Sequence, residues 1–163
     1  MQSKLRIFLD LDGVLADFDA GVLRVTGRAP HHFQKVSEMW RALARAEDFF
    51  AKLPWMQDGQ LLWEATRTDS PTILTGLPRG NWAAPQKRDW CARELGADVP
   101  VITCMSRDKA REAARVLRPG EQPLLIDDRE AQRAAWEAAG GVFILHRSAE
   151  ESLQLLAQVR ESE

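Results

Sequence analysis

Five short apolar runs, most of them followed by a stretch of helical spacing, constrain this chain more than any other feature. They lie at Arg6–Asp10, Pro71–Thr75, Pro100–Cys104, Pro123–Asp127 and Val142–Leu145. Runs of that length without strict alternation suit strands buried on both faces. The predicted helices are Ala84–Leu95, closed by Gly96, Arg107–Leu117, closed by Pro119 and Gly120, and Arg129–Ala139, closed by Gly140 and Gly141. A fourth, Ser148–Val159, opens with Ser148 and Glu151 at capping-box spacing. Such a series implies an α/β fold, a doubly wound, Rossmann-like parallel five-stranded sheet with right-handed crossovers.

One interval breaks the rhythm. From Phe18 to Ser70 there is no strand pattern, only helical stretches around Gly21–Thr26, Phe33–Ala46 and Gly59–Thr66. That is too long for one crossover, so a small helical cap inserted after the first strand is expected, lying over the C-terminal edge of the sheet. Residues 1–17 and 71–163 would form the core and 18–70 the cap. A length of 163 residues suits one domain with such an insertion.

Charge and cysteine usage narrow the partners. A net charge of −2 and the lack of a long Lys/Arg run argue against a binder of long nucleic acids, and leave a small charged ligand open. No segment approaches the ~18 apolar residues of a membrane span. MQSKLRIFLD runs into a strand pattern with no signal-peptide profile, so a cytoplasmic monomer or homodimer without a membrane partner is expected. Cys91 and Cys104 have neither CxxC spacing nor a nearby His and read as reduced, packed thiols.

In open α/β sheets ligands bind beyond the carboxyl ends of the strands. Those ends hold Asp10 and Asp12, Thr75 and Gly76, the run Ser106-Arg107-Asp108-Lys109, and the pair Asp127–Asp128. Carboxylates from two strands make the anionic oxygen cage that Mg2+ prefers, with positions left for water and a phosphate. One aspartate can attack phosphorus while a lysine neutralises the phosphoryl oxygens. Thr75 can hold a phosphoryl oxygen, and Asp12, two residues past Asp10, is placed to protonate the leaving oxygen and then activate water.

The stretch DLDGVLAD resembles the first motif of the haloacid dehalogenase superfamily of phosphotransferases. Thr75 in ILTG matches its second motif, a lysine the third, and Asp127–Asp128 in LLIDDRE the fourth. DLDGVLADF, DFFAKLP, SRDKA and LLIDDR together are similar to the 5′(3′)-deoxyribonucleotidase branch. That resemblance implies Mg2+-dependent dephosphorylation of nucleoside monophosphates, with Asp10 as nucleophile and Asp12 as acid/base. It also implies Lys109 as the catalytic lysine, Lys87 in APQKRDW as a further phosphate-side lysine, and Phe18 as a nucleoside contact. The metal would take the Asp10 side chain, the Asp12 carbonyl and Asp128, with Asp127 equally able to be the direct ligand.

The sequence departs from that branch in three places. Gly76 follows Thr75 where the branch has a second small hydroxyl, so at this substrate-binding position one phosphate donor is missing or replaced by a backbone N–H; the segment carrying ARVLRPGEQP is longer, and the cap is shorter and lacks its familiar aromatic segment. A sugar phosphate or a nucleic-acid 3′-phosphate end would need the same site chemistry as a nucleotide. Plainer readings stand beside these. Asp127 and Asp128 also suit the start of a helix, and Thr75 suits any strand. Lys87, one turn before Trp90, suits an exposed helix face. Phe18, Phe49, Phe50 and Trp55 suit a small core of the cap, Asp17 its hinge, and His31, His32 and His146 surface or loop positions. A catalytically silent binding module is the non-enzyme alternative, but it has no physical need for four crowded carboxylates.

Overall fold

A computed structural model describes residues 3–163. Its parallel sheet has strands β1 (Lys4–Leu9), β2 (Thr72–Gly76), β3 (Val101–Cys104), β4 (Glu121–Asp127) and β5 (Val142–Leu145) in the order β3-β2-β1-β4-β5. The doubly wound expectation is met. The helices are α1 (Phe18–Thr26), α2 (Val36–Arg45), α3 (Gly59–Thr66), α4 (Ala83–Glu94), α5 (Lys109–Ala114), α6 (Arg133–Ala138) and α7 (Ala149–Glu161).

Alternation along β1 feeds two cores. Ile7 and Leu9 join Ile73, Leu124 and Ile126 under α3, α4 and α7, where Leu62, Trp90 and Leu156 are buried. Phe8 points the other way, to Leu74, Leu125, Ala113 of α5 and Trp136 of α6. Filling both faces is what a parallel sheet needs, and each buried side chain of this size contributes about 1.5–3 kcal/mol.

The sheet order places the site. Strand order reverses beside β1: β2 and β3 are laid to one side of it, then β4 and β5 to the other. A crevice opens at such a switch point. Phe8 pairs with Leu125 and Leu9 with Ile126, so the residues that follow, Asp10 and Asp127, leave adjacent strands side by side.

Several boundaries differ from the sequence reading. α1 starts at Phe18 rather than Gly21 because Asp17 caps it, its Oδ1 accepting from the Ala20 amide at 3.0 Å. α2 starts at Val36, after a tighter turn at Pro30–His32. α5 and α6 are shorter than expected, each preceded by a one-turn 3-10 segment. In both cases the first residues past the strand are used to reach the crevice. α7 begins as the capping box implies, with the Ser148 hydroxyl accepting from the Glu151 amide at 3.1 Å.

The interval 18–70 does not hold a separate core. Phe33, Met39, Leu43, Phe49, Phe50 and Leu53 merge with the sheet's larger apolar cluster, and α3 packs against α7. Side chains of α4 pin the DFFAKLP segment: Gln86 accepts from the Phe50 amide at 2.8 Å, Trp90 donates to the Leu53 carbonyl at 2.8 Å, and Arg93 donates to that of Ala51. No helix among the described residues is long and apolar enough to cross a membrane.

Candidate active site

The turn after β1 is wound around one carbonyl. The Leu11 oxygen accepts from the amides of Val14, Leu15 and Ala16, at 3.3, 2.9 and 3.0 Å. The Asp12 carbonyl takes no hydrogen bond from that turn, and Asp10 and Asp12 both line one cavity of about 1110 Å³. Gly13 has φ of +81°, where a side chain would be strained, and a Cβ there would strike Oδ2 of Asp128. Glycine therefore lets the fourth strand's carboxylate come close to the first strand's turn.

Two lysines divide the carboxylates. Lys109, the first residue of α5, donates to Oδ1 of Asp10 at 2.9 Å and to Oδ2 of Asp127 at 2.8 Å. Lys87, on α4, donates to Oδ2 of Asp12 at 2.7 Å, to Oγ1 of Thr75 at 2.9 Å and to the Gly76 carbonyl at 2.6 Å. Its side chain is 1% exposed, which removes the exposed-helix reading. The Phe50 ring covers it, 4.5 Å from the nitrogen to the ring centre. A buried ammonium is tolerable only with such partners, and here they come from β1, β2 and the 18–70 interval at once.

The electrostatics are strained without a cation. Burial opposes the charge on Lys109, but Asp10 and Asp127 outweigh it and hold the ammonium above its ordinary value. Burial raises Asp12; Lys87 pulls it down and Asp10 pushes it up, with a net rise. Asp127 is likewise raised by burial and by Asp10, against Lys109. Asp128, though partly open to solvent, is pushed up to about 8 by desolvation and then by the Asp10 charge.

These groups fit a hard divalent cation. One oxygen from each of Asp10, Asp127 and Asp128 lies within 4.8 Å of the others, and all-oxygen donors suit Mg2+. The hydrogen bonds separate the neighbours. Asp127 is committed at both oxygens, Oδ2 to Lys109 and Oδ1 to the Arg129 amide at 2.9 Å. Asp128 is bonded within the cluster instead, its carboxyl to that of Asp10 and to its own backbone, and with Asp10 and the Asp12 carbonyl it could hold such a cation.

The rest of the cavity wall mixes an aromatic and apolar set, Phe18, Met39, Trp40, Met56, Leu77 and Trp82, with charged groups that include Asp17, Asp19, Arg41, Arg79 and Arg129. Phe18 lies 5.5 Å from Trp40 and 5.7 Å from Phe49 between ring centres, and Phe50 lies 5.4 Å from Trp82. These rings serve the core and the cavity together. Trp55 instead packs on Trp90 at 5.0 Å.

His146 lies in the loop after β5, one of the two settings expected, but it is buried there: it is 5% exposed and lines the cavity, with Nδ1 2.7 Å from the Ser152 hydroxyl. Burial lowers its pKa, against the Asp58 and Asp10 charges. Its position at the end of the VFIL run was the available signal, by the same strand-end rule that picked out Asp127. Trp40 and Trp82 left no such signal, because a loop or helix tryptophan does not reveal what it faces. Cys91 and Cys104 carry no disulfide, and burial pushes the Cys91 thiol up to about 12.

No protein-family model matches the chain, and no curated protein matches its sequence. Solved structures do match. A protein named as a haloacid dehalogenase-like hydrolase, from Burkholderia xenovorans LB400, superposes with a TM-score of 0.56 at 13% identity, covering 93% of this chain and 85% of that one. A HAD family hydrolase from Deinococcus radiodurans R1, solved with bound phosphate and sodium, gives 0.53 at 18% identity, covering 88% and 80%. The chain has the haloacid dehalogenase fold. Protein tyrosine kinase A of Mycobacterium tuberculosis also matches, at 0.53 and 18% identity over 88% and 83% of the two chains. The haloacid dehalogenase fold therefore fixes the frame of this site, and the reaction has to be argued from the side chains.

Proposed function

We propose that the chain is a divalent-cation-dependent phosphomonoester hydrolase that works through an aspartyl-phosphate on Asp10, with a nucleoside monophosphate as substrate. One observation carries the reading: two carboxylates two residues apart are each tied to a different buried lysine, and only one keeps a free, sealed oxygen. Lys109 holds Oδ1 of Asp10, while Lys87 holds Oδ2 of Asp12 and leaves its Oδ1 buried without a partner. An unsatisfied buried oxygen is costly unless it carries or receives a proton.

The division of labour follows. The Asp10 carboxylate attacks phosphorus in line, the bond to the leaving oxygen breaks, and Asp12 gives that oxygen its proton. Asp12, now ionised, takes a proton from the water that attacks the same phosphorus, which frees phosphate and regenerates Asp10. Burial favours the protonated form of Asp12 before the first step, and Lys87 steadies the ionised form after it. Thr75, wholly buried behind the cavity lining, receives Lys87 on its oxygen and helps to hold that lysine against Asp12. Lys109 spreads its charge over Asp10 and the incoming phosphoryl group, oriented by Asp127. Mg2+ held by Asp10, the Asp12 carbonyl and Asp128 would neutralise charge developing on the phosphoryl oxygens.

Support for a nucleotide comes from the wall. A cavity far larger than a phosphate, faced by Phe18, Trp40 and Trp82, offers a flat ring a stacking surface. In this reading α1 and α2, within the interval 18–70, act as a cap that encloses the leaving group. The test is phosphate release from nucleoside 5′- and 3′-monophosphates, sugar phosphates and a 3′-phosphorylated oligonucleotide, each with Mg2+ and with chelator. The expected result is Mg2+-dependent release with a preference for one nucleotide. Preference for a sugar phosphate would discard the substrate and keep the mechanism; chelator-resistant release would discard the mechanism.

A further inference from the structure

Gly76 is not a glycine for the sake of its backbone. Its φ does not lie in the left-handed region, and as the last residue of β2 it pairs in register with Cys104 of β3. Space is the constraint. A Cβ built on it would collide with Oγ of Ser106, and would lie 3.4 Å from that residue's Cβ and 3.6 Å from its Cα. The hydroxyl of Ser106, from the end of β3, thus occupies the volume that any side chain on Gly76 would need.

That hydroxyl is otherwise idle. Ser106 opens the turn Ser106–Asp108 that leads directly into Lys109, yet among the described residues its Oγ takes part in no hydrogen bond, although serine in a turn commonly bonds to nearby amides. It is half-buried and lines the same cavity as Asp10, Asp12, Lys87 and Lys109. The polar groups at the end of β2 are already engaged, since Lys87 occupies both the Gly76 carbonyl and the Thr75 oxygen. A hydroxyl donor for an anion at this end of the sheet therefore has to come from β3.

Resting on the phosphatase reading above, we infer that Ser106 is a phosphate-binding residue, its hydroxyl donating to a phosphoryl oxygen, and that residue 76 is glycine to admit it. The serine and the catalytic lysine then approach the phosphoryl group from one short turn. Gly76 supplies only room.

The test measures binding of inorganic phosphate to the full chain with Mg2+, by calorimetry, beside hydrolysis of an aryl phosphate. Ser106→Ala should weaken phosphate by about tenfold, as loss of a hydrogen bond to a charged acceptor does, with an unchanged thermal midpoint. Gly76→Ser alone should also bind poorly, because the two hydroxyls compete for one place. In the double variant Gly76→Ser/Ser106→Ala the remaining Cβ is far enough away to fit, and phosphate affinity should return to within about threefold of native. Native affinity in Ser106→Ala overturns the inference while leaving the phosphatase reading intact. A double variant no better than Ser106→Ala overturns the exchange of positions and with it the role of Gly76. A native protein that neither binds phosphate nor releases it from any ester overturns both readings.

Discussion

The cavity has two poles that are built differently. At its floor Asp10, Asp12, Asp127 and the two lysines each have a partner at hydrogen-bonding distance, contributed by strand ends, α4 and α5. At its roof the partly buried rings of Phe18, Trp40 and Trp82 face the cavity, and the buried Phe50 ring behind them joins Phe18 to Trp82, with ring-centre distances of 5.4 to 6.1 Å along the series. The floor is over-determined, because shifting one charge leaves another buried and unpaired. The roof relies on area and ring geometry, which several side chains can satisfy. A reaction that must place a proton and a nucleophile needs the first kind of construction, and recognition of a leaving group needs only the second.

The largest break of this contrast is at Asp10. Asp10→Asn is nearly isosteric and keeps an oxygen for Lys109, so the protein should fold, while Mg2+-dependent phosphate release should fall by about 10⁴-fold or more, as loss of a nucleophile does. Phosphate release by the pure variant checks this, and an active Asp10→Asn protein would sink the mechanism. Next in size is Lys87→Met. It strips the bond from Oδ2 of Asp12 and the donor from Thr75, so kcat on an aryl phosphate should drop by about 10²-fold, the scale of acid–base assistance. Lys87→Arg should recover little, since a planar guanidinium cannot reproduce three bonds made by one ammonium nitrogen. A fall confined to KM would show that Lys87 binds substrate without setting up Asp12.

The same contrast explains what could be read from the sequence. The strands were legible because parallel strands buried on both faces are apolar throughout. Their ends were legible because polarity begins abruptly there, as at Leu9 and Asp10. The pairing of charges was not. Lys87 looks like a surface residue on any helical wheel, and the groups that make its burial possible, Asp12, Thr75 and Gly76, lie elsewhere in the chain and come together only through the sheet order. The different surroundings of Asp127 and Asp128 were equally closed to sequence, since they lie in bonds from Lys109 and from the Arg129 amide to Asp127. At the roof, composition flagged Phe18, Phe49 and Phe50 but could not say that their rings would bridge the interval 18–70 and the sheet, nor that Trp82 would join them.

Roof substitutions should give smaller and more selective effects. Phe18→Ala should raise KM for a nucleoside monophosphate by about tenfold, the scale of one lost stacking contact, and leave KM for a compact aryl phosphate nearly unchanged. Equal effects on both would make Phe18 a packing residue of the apolar cluster. Trp82→Phe should be the mildest. It keeps a ring facing Phe50 and gives up only the bond from the indole nitrogen to the Arg79 carbonyl, an exposed one at 3.1 Å. A net hydrogen bond of that kind is worth about 1 kcal/mol or less, so kcat/KM should stay within about fivefold of native. If Trp82→Phe instead cost as much as Lys87→Met, measured on the same substrate, the roof would be as exacting as the floor, and the division between a fixed reaction pole and a tolerant recognition pole would fail.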